Sequence, residues 1–298
     1  MKKLGRIAAV FLLAAAGAAV ASPNDFQLYQ LGNPTPGGAG YSLSANANFR
    51  AFARELGAAL TSADLMPPST LGYAGFSLSS ELSVVNFKSS QFLLPTASTF
   101  SGPLLVPSLH IRKGLPFSFE VGARAGWLGK SRMGVATVEG KWAINEGFTF
   151  LPDFGVRAHL TRLFNTRDFD LLATGLDLGV GKRFAFAGMM TLTPYAGWNL
   201  VGVSASSGIV DFNPGRSYQD SIRTSISQLQ DTGVFDDVNI RSNSHHRFYG
   251  GLRLIAGALQ IGAEISYSVL GRIHDDGTGM DRSLPSLLTV NTLLGVDL

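Results

Sequence analysis

The sequence predicts an all-β protein: an antiparallel β-barrel that crosses a membrane with about ten strands, within a range of about eight to twelve, preceded by a short helix. Three observations carry this. Segment after segment alternates apolar and polar residues with a period of two, the signature of strands with two different faces. The chain has a positive mean hydropathy, yet beyond its first residues it holds no run of about eighteen apolar residues, the length a membrane helix needs. The long connections between the alternating segments fall on one side of the predicted barrel and the short ones on the other.

Residues 1–21, MKKLGRIAAVFLLAAAGAAVA, read as a signal peptide. Lys2, Lys3 and Arg6 supply the positive start, Ala8 to Val20 the apolar stretch, and Ala19-Val20-Ala21 a small-residue cleavage site that leaves Ser22 first in the mature chain. The net charge is +3, and loss of Lys2, Lys3 and Arg6 makes the remainder formally neutral. No clustered basic face remains, so no nucleic-acid partner is expected. The chain has no Cys, which excludes disulfides, thiolate metal sites and lipoprotein acylation.

Residues 22–70 do not alternate. LGNPTPGGAG at 31–40 is a turn or loop. NFRAFARELGAAL at 48–60 places Phe49, Phe52, Ala53, Leu56, Ala59 and Leu60 at helical spacing, with Asn48 as N-cap, and Pro67 and Pro68 forbid continuation. This segment is either a periplasmic lead-in or a plug inserted into the barrel.

Residues 71–298 form the barrel. The first strand sets Phe76, Leu78, Leu82 and Val84 against Ser77, Ser79, Glu81 and Ser83. The second sets Leu105, Leu109 and Ile111 against Ser108, His110 and Arg112. The third, PFSFEVGARAGWLG, sets Phe117, Phe119, Val121 and Trp127 against Glu120 and Arg124. The fourth to seventh place Val138, Val156, Leu176 and Leu192 opposite Glu139, Arg157, Asp177 and Thr193. The last three place Phe248, Ile261 and Val290 on the apolar face, with Arg247, Arg253 and Glu264 opposite. Long connections at 88–104, 204–245 and 271–285 follow the first, seventh and ninth strands, all odd. Short ones lie at 112–116, 146–150, 182–188 and 256–258. With a periplasmic start, the long ones face outward.

Strand phase assigns lipid and lumen. The lumen-lining set is Glu81, His110, Glu120, Arg124, Glu139, Lys141, Asp153, Arg157, His159, Asp177, Tyr195, Arg247, Arg253 and Glu264. Trp127, Trp142 and Trp198 lie on the apolar face near strand ends, as an interfacial aromatic girdle. The lumen charges are mixed in sign and nearly balanced, a composition that suits mutual pairing in a narrow space.

With its signal peptide, alternating strands, aromatic flanks and final strand LLTVNTLLGVDL, the chain resembles the bacterial outer-membrane β-barrels. That class usually ends on an aromatic residue, whereas this chain ends on Leu298. The resemblance implies export to the outer membrane, with membrane lipid and the barrel assembly machinery as partners. The layout is also similar to hydrophobic-solute barrels of the fatty-acid transporter kind, which carry an N-terminal plug.

No catalytic, metal or cofactor set emerges. HDDGTGMD at 274–281 lacks EF-hand spacing, LGVGKRF at 178–184 is no phosphate loop, and SNSHH at 242–246 reads as a solvated loop. The expectation is a non-enzymatic barrel, a passive channel or transporter for small solutes, hydrophobic ones included. The alternative is a closed structural or surface-interaction barrel acting through 204–245, where Phe212, Tyr218 and Phe235 form an exposed contact patch.

Overall fold

The structure, a computed structural model, describes residues 22–32, 43–61, 63–87, 92, 94–96, 102–186, 190–212 and 232–298. The signal peptide, most of the 31–40 turn and Tyr218 lie outside these residues. Ten strands close into one antiparallel barrel. They are β1 (Phe76–Asn86), β2 (Leu104–Leu115), β3 (Phe119–Trp127), β4 (Gly134–Asn145), β5 (Asp153–Phe164), β6 (Phe169–Gly181), β8 (Met190–Ser207), β11 (Ser244–Ala256), β12 (Leu259–Val269) and β15 (Leu287–Asp297). A short β7 (Phe184–Phe186) pairs with the foot of β8. Two small strand pairs, β9 (Val210–Asp211) with β10 (Thr232–Gly233) and β13 (Arg272–Asp275) with β14 (Met280–Ser283), stand on the long connections.

Each barrel strand pairs with its neighbours in the chain, and β1 pairs with β15 to close the ring. One row of partners starts at Leu115 and runs through Phe119, Trp142, Val156, Leu178, Trp198, Phe248, Tyr267 and Leu288 to Asn86. Asn86 adjoins Val85, which pairs with Leu104, so the row returns to β2 at the opposite end. Such a stagger requires steeply tilted strands.

The outward face is apolar along most of the wall. Leu78, Leu109, Ile111, Val121, Val138, Leu160, Leu176, Leu178, Ile261, Ile265 and Leu294 are all exposed. A continuous apolar wall of this extent is a lipid-facing surface, because water would penalise it. The ends of β1, β3, β5, β8 and β12 and the starts of β2, β4, β6, β11 and β15 share one rim, the long-connection rim. The opposite strand ends share the short-turn rim, with connections at 116–118, 146–152 and 257–258.

The aromatic girdle differs from expectation at one Trp. Trp127 ends β3 near the long-connection rim, and Trp142 stacks on Phe119 near the other, centroids 5.8 Å apart. Trp198 is not at a strand end. β8 runs on to Ser207, which leaves Trp198 in mid-strand, stacked on His246. Phenylalanines supply the rest of the short-turn belt: Phe117, Phe148, Phe150 and Phe184 all project outward, Phe150 95% exposed. Phe117 holds its place with φ 62, in the left-handed region that a bulky residue seldom adopts.

Toward the long-connection rim the polarity of the two faces inverts. Val85, Leu104, Val135, Leu163, Leu171, Val201 and Val203 point inward and are buried. Asn86, Arg162 and Asp170 point outward at the same level. There the barrel is built like a water-soluble protein, apolar inside and polar outside, because its wall has left the lipid.

That apolar mouth is filled by α1 (Leu43–Leu60). The helix starts earlier than the predicted 48–60, so Asn48 is an interior residue and not the N-cap. Its side chain instead donates to the Leu31 carbonyl and accepts from Arg282. Ala45, Ala47, Phe49, Ala51, Phe52, Ala53 and Leu56 are each fully buried. A helix buried nearly all round, rich in strong helix formers, is a core element, and its few polar residues bond to the mouth around it. Phe212 and Phe235, expected to be exposed, are buried against it: Phe235 stacks on Phe49 at 4.9 Å and Phe212 meets Phe235 edge-on at 5.5 Å. The connection predicted at 204–245 is correspondingly shorter, since β8 extends to Ser207 and β11 starts at Ser244.

Gly57 lets α1 approach the wall. A Cβ there would lie 2.4 Å from Val203 Cγ2 and 2.8 Å from Cγ1, and a β-branched neighbour is stiff. Gly57→Ala should destabilise the protein by about 1–3 kcal/mol through overpacking, measured as a lowered unfolding midpoint in detergent. An unchanged midpoint would show that the helix seat has slack.

Candidate functional site

Below the helix the chain cannot stay helical. Thr61 closes α1 through its hydroxyl and N–H to the Gly57 carbonyl, and Pro67 and Pro68 lack an N–H. Residues 63–71 therefore descend as an irregular strap through the polar half of the barrel. A strap in a closed barrel has no strand edge to pair with, so its backbone groups must find side chains.

The lumen charges provide them by sign. Cations take the carbonyls: Arg247 donates to Thr61 at 3.0 Å, Arg157 to Ala63 at 3.1 Å, and Lys141 to Pro67 and Ser69 at 3.2 and 3.1 Å. Carboxylates take the N–H groups: Glu264 accepts from Leu65 at 2.8 Å, Glu146 from Thr70 at 2.7 Å and Glu120 from Leu71 at 3.0 Å. Two strap side chains join in. Asp64 accepts from the Tyr249 hydroxyl at 3.3 Å and lies 3.7 Å from Arg157, while the sulfur of Met66 accepts from Arg253 at 3.1 Å.

The ladder register explains why these groups converge. Glu120, Lys141, Arg157, Asp177, Asn199 and Arg247 are consecutive partners in one row around the inside. Asp177 is its hub. It accepts from Arg157 Nε at 3.0 Å and from Asn199, and Arg247 and His159 stand 3.8 and 3.6 Å away. Arg157 also reaches Glu139 at 2.9 Å. Glu139 approaches His110 at 3.0 Å, which meets Glu81 at 2.8 Å, which holds Arg124 at 2.6 Å.

Toward the short-turn rim, Arg112 bonds Glu120 at 2.9 Å and Arg253 bonds Asp297 at 3.4 Å. Arg112, Ser77 and Gln260 were not in the predicted set. Arg112 shares the inward phase of His110, and Gln260 that of Glu264, so the alternation marks them. Asp153 faces inward at the rim and accepts from the Gly147 N–H. Tyr195 donates to Glu264 at 3.2 Å.

Between the polar row and the apolar mouth lies a row with small residues. Gly175 sits opposite His159, and a Cβ there would come 2.1 Å from His159 Nε2. His245 belongs to this level too. It is a buried residue of β11, not a loop residue, while His246 faces outward against Trp198. Arg54 ties α1 to the mouth by donating to Asn243, Leu270, Arg272 and Ser242.

The lumen side chains are closed to water. Arg112, Arg157, Arg247, His110, Asp177, Asn199 and Glu264 are at most 2% exposed. The acid-rich 274–281 stretch forms an exposed hairpin in which His274 meets Asp281 at 3.0 Å. Among the described residues no group of three or more His, Asp or Glu is arranged to hold a metal ion.

No protein-family model matches the sequence, and no curated protein does. Solved structures do resemble it. One is Ail, the attachment invasion locus protein of Yersinia pestis, 12% identical, covering 76% of this chain and 99% of that one, with a TM-score of 0.26. Another is Neisserial surface protein A, 11% identical, covering 75% and 96%, TM-score 0.29. A third is the outer-membrane protease OmpT of Escherichia coli, 7% identical, covering 75% and 93%, TM-score 0.33. The chain's own ladder carries its architecture: it is a closed ten-strand antiparallel barrel.

Proposed function

We propose that this protein is a sealed outer-membrane barrel that works through the face it turns to the exterior, rather than by passing solutes through an open lumen. The observation behind this is the strap, whose carbonyls and N–H groups take up the cations and carboxylates that would otherwise line a pore. Displacing it would strand several buried charges at once. In this reading residues 1–21 are removed on export, the assembly machinery inserts residues 71–298, and residues 22–70 act as the plug. The long-connection rim is the outer one, since outer connections are the longer ones in such barrels. The working face then comprises the two small strand pairs and the exposed Ile209, Val234 and Met280.

Planar-bilayer recording tests this. The intact protein, checked for folding by its faster migration on unheated detergent gels, should show no sustained conductance. A variant lacking residues 24–60 retains every barrel strand and loses α1, and should leak more than the intact protein. Stable unit conductance steps from the intact protein would overturn the sealed reading and restore the passive channel for small solutes.

A further inference from the structure

The helix and strap have a direction. Residues 22–32 precede α1, and they sit on the long-connection rim. The Asn24 N–H donates to the Lys130 carbonyl at 3.1 Å, and its side-chain amide donates to the Gly129 carbonyl at 2.8 Å. The Asp25 carboxylate accepts from the Arg132 N–H at 3.0 Å, and Phe26 bridges to Thr96. Phe26 also packs edge-on against Phe52 of α1 at 5.1 Å. Residues 129–132 are the connection from β3 to β4, and Thr96 belongs to the one from β1 to β2.

The other end of the segment is equally well placed. Thr70 bonds Glu146 on the short-turn rim, and β1 begins at Phe76 on that same rim. The chain therefore crosses the whole interior before its first strand. It enters at the long-connection rim and leaves at the short-turn rim.

We propose that the barrel displays the N-terminal end of its own processed chain at the cell surface, with residues 22–32 forming part of the exterior face. This rests on the orientation adopted above, with the long-connection rim outside. A chemical detail at Ser22 fits. Its backbone nitrogen lies 2.8 Å from Asp25 Oδ2. Cleavage after Ala21 turns that nitrogen into an ammonium group, and the contact becomes a charge-assisted pair. The carboxylate that receives the new terminus is thus already on the outer rim, next to Arg132 at 3.9 Å. A chain that began in the periplasm and only capped the barrel would have no reason to hold this end among the long connections.

The absence of Cys makes the test clean. Three full-length variants each carry one thiol: Pro23→Cys in the segment, Thr278→Cys in the exposed hairpin turn, and Thr149→Cys in a short turn, all at exposed positions. Intact cells of a Gram-negative host are treated with a membrane-impermeant maleimide, and heat-modifiable mobility checks each fold. Pro23→Cys should label as strongly as Thr278→Cys, and Thr149→Cys only after the outer membrane is permeabilised. If Thr278→Cys labels and Pro23→Cys does not, threading is overturned. If Thr149→Cys labels and Thr278→Cys does not, the orientation is inverted and the display proposal fails with it; Pro23→Cys then still reports whether the segment shares the long-connection rim. Should Pro23→Cys fail to fold, a short epitope placed between Ser22 and Pro23 and probed by antibody on intact cells gives the same readings.

Discussion

Asp177→Asn is expected to destabilise the folded barrel by about 3–5 kcal/mol, the cost of removing one partner from a buried charge network. Asp177 is 1% exposed and accepts from Arg157 and Asn199, with Arg247 and His159 close by. The substitution leaves two buried guanidinium groups short of their shared countercharge. It also loosens the strap, because Arg157 and Arg247 are the groups that hold the Ala63 and Thr61 carbonyls. Urea unfolding in detergent micelles measures the effect. Asp170→Asn is the matched control. Its pair with Arg162 at 3.4 Å is more than half exposed on both sides, and such pairs contribute about 0–1 kcal/mol. Equal destabilisation by the two substitutions would show that the interior network does not hold the barrel together.

Ala123→Arg should cost roughly 2–4 kcal/mol when the protein unfolds from a lipid bilayer, the penalty for Arg on a lipid-facing position near the midplane. Ala123 lies midway along the outward row of β3, between Phe119 and Trp127. The same change at Ser206, outward on β8 above the point where the faces invert, should be nearly neutral, because the wall there meets water. The contrast between the two positions locates the lipid boundary. If Ala123→Arg is silent, the wall at that depth is not in lipid.

The alternation in the sequence is legible because lipid and lumen impose opposite demands on successive residues. Phe119, Val121 and Trp127 can only face hydrocarbon, and Glu120 and Arg124 can only face away from it. This is why every barrel strand, its phase and the parity of its connections follow from pattern alone. The pattern breaks at the tops of β6 and β8. There Leu171, Val201 and Val203 read as a continuation of an apolar run, although they point inward to α1. Periodicity shows which residues share a face, but not where the solvent outside that face changes from lipid to water.

The buried positions of Phe212 and Phe235 have the same origin. Apolar residues in a long connection read as a surface patch until their partner is known, and here the partner is Phe49, far away in sequence. Asn48 made a plausible cap because nothing local shows that the helix has already begun at Leu43.

By itself, then, the sequence determined the barrel, a strand number near ten and the phase of its strands, all consequences of a two-residue period repeated against two media. Only the tertiary structure decided what the charges do. Balanced Arg, Lys, Asp and Glu suit mutual pairing in a narrow space, but composition does not say what else fills that space. The answer depends on whether backbone lies within reach, and the carbonyls of Thr61, Ala63 and Ser69 and the N–H groups of Leu65 and Leu71 lie within about 3 Å of Arg247, Arg157, Lys141, Glu264 and Glu120. A chain segment without ladder partners must satisfy its polar groups somewhere, and here the charged side chains of the wall take up several of them.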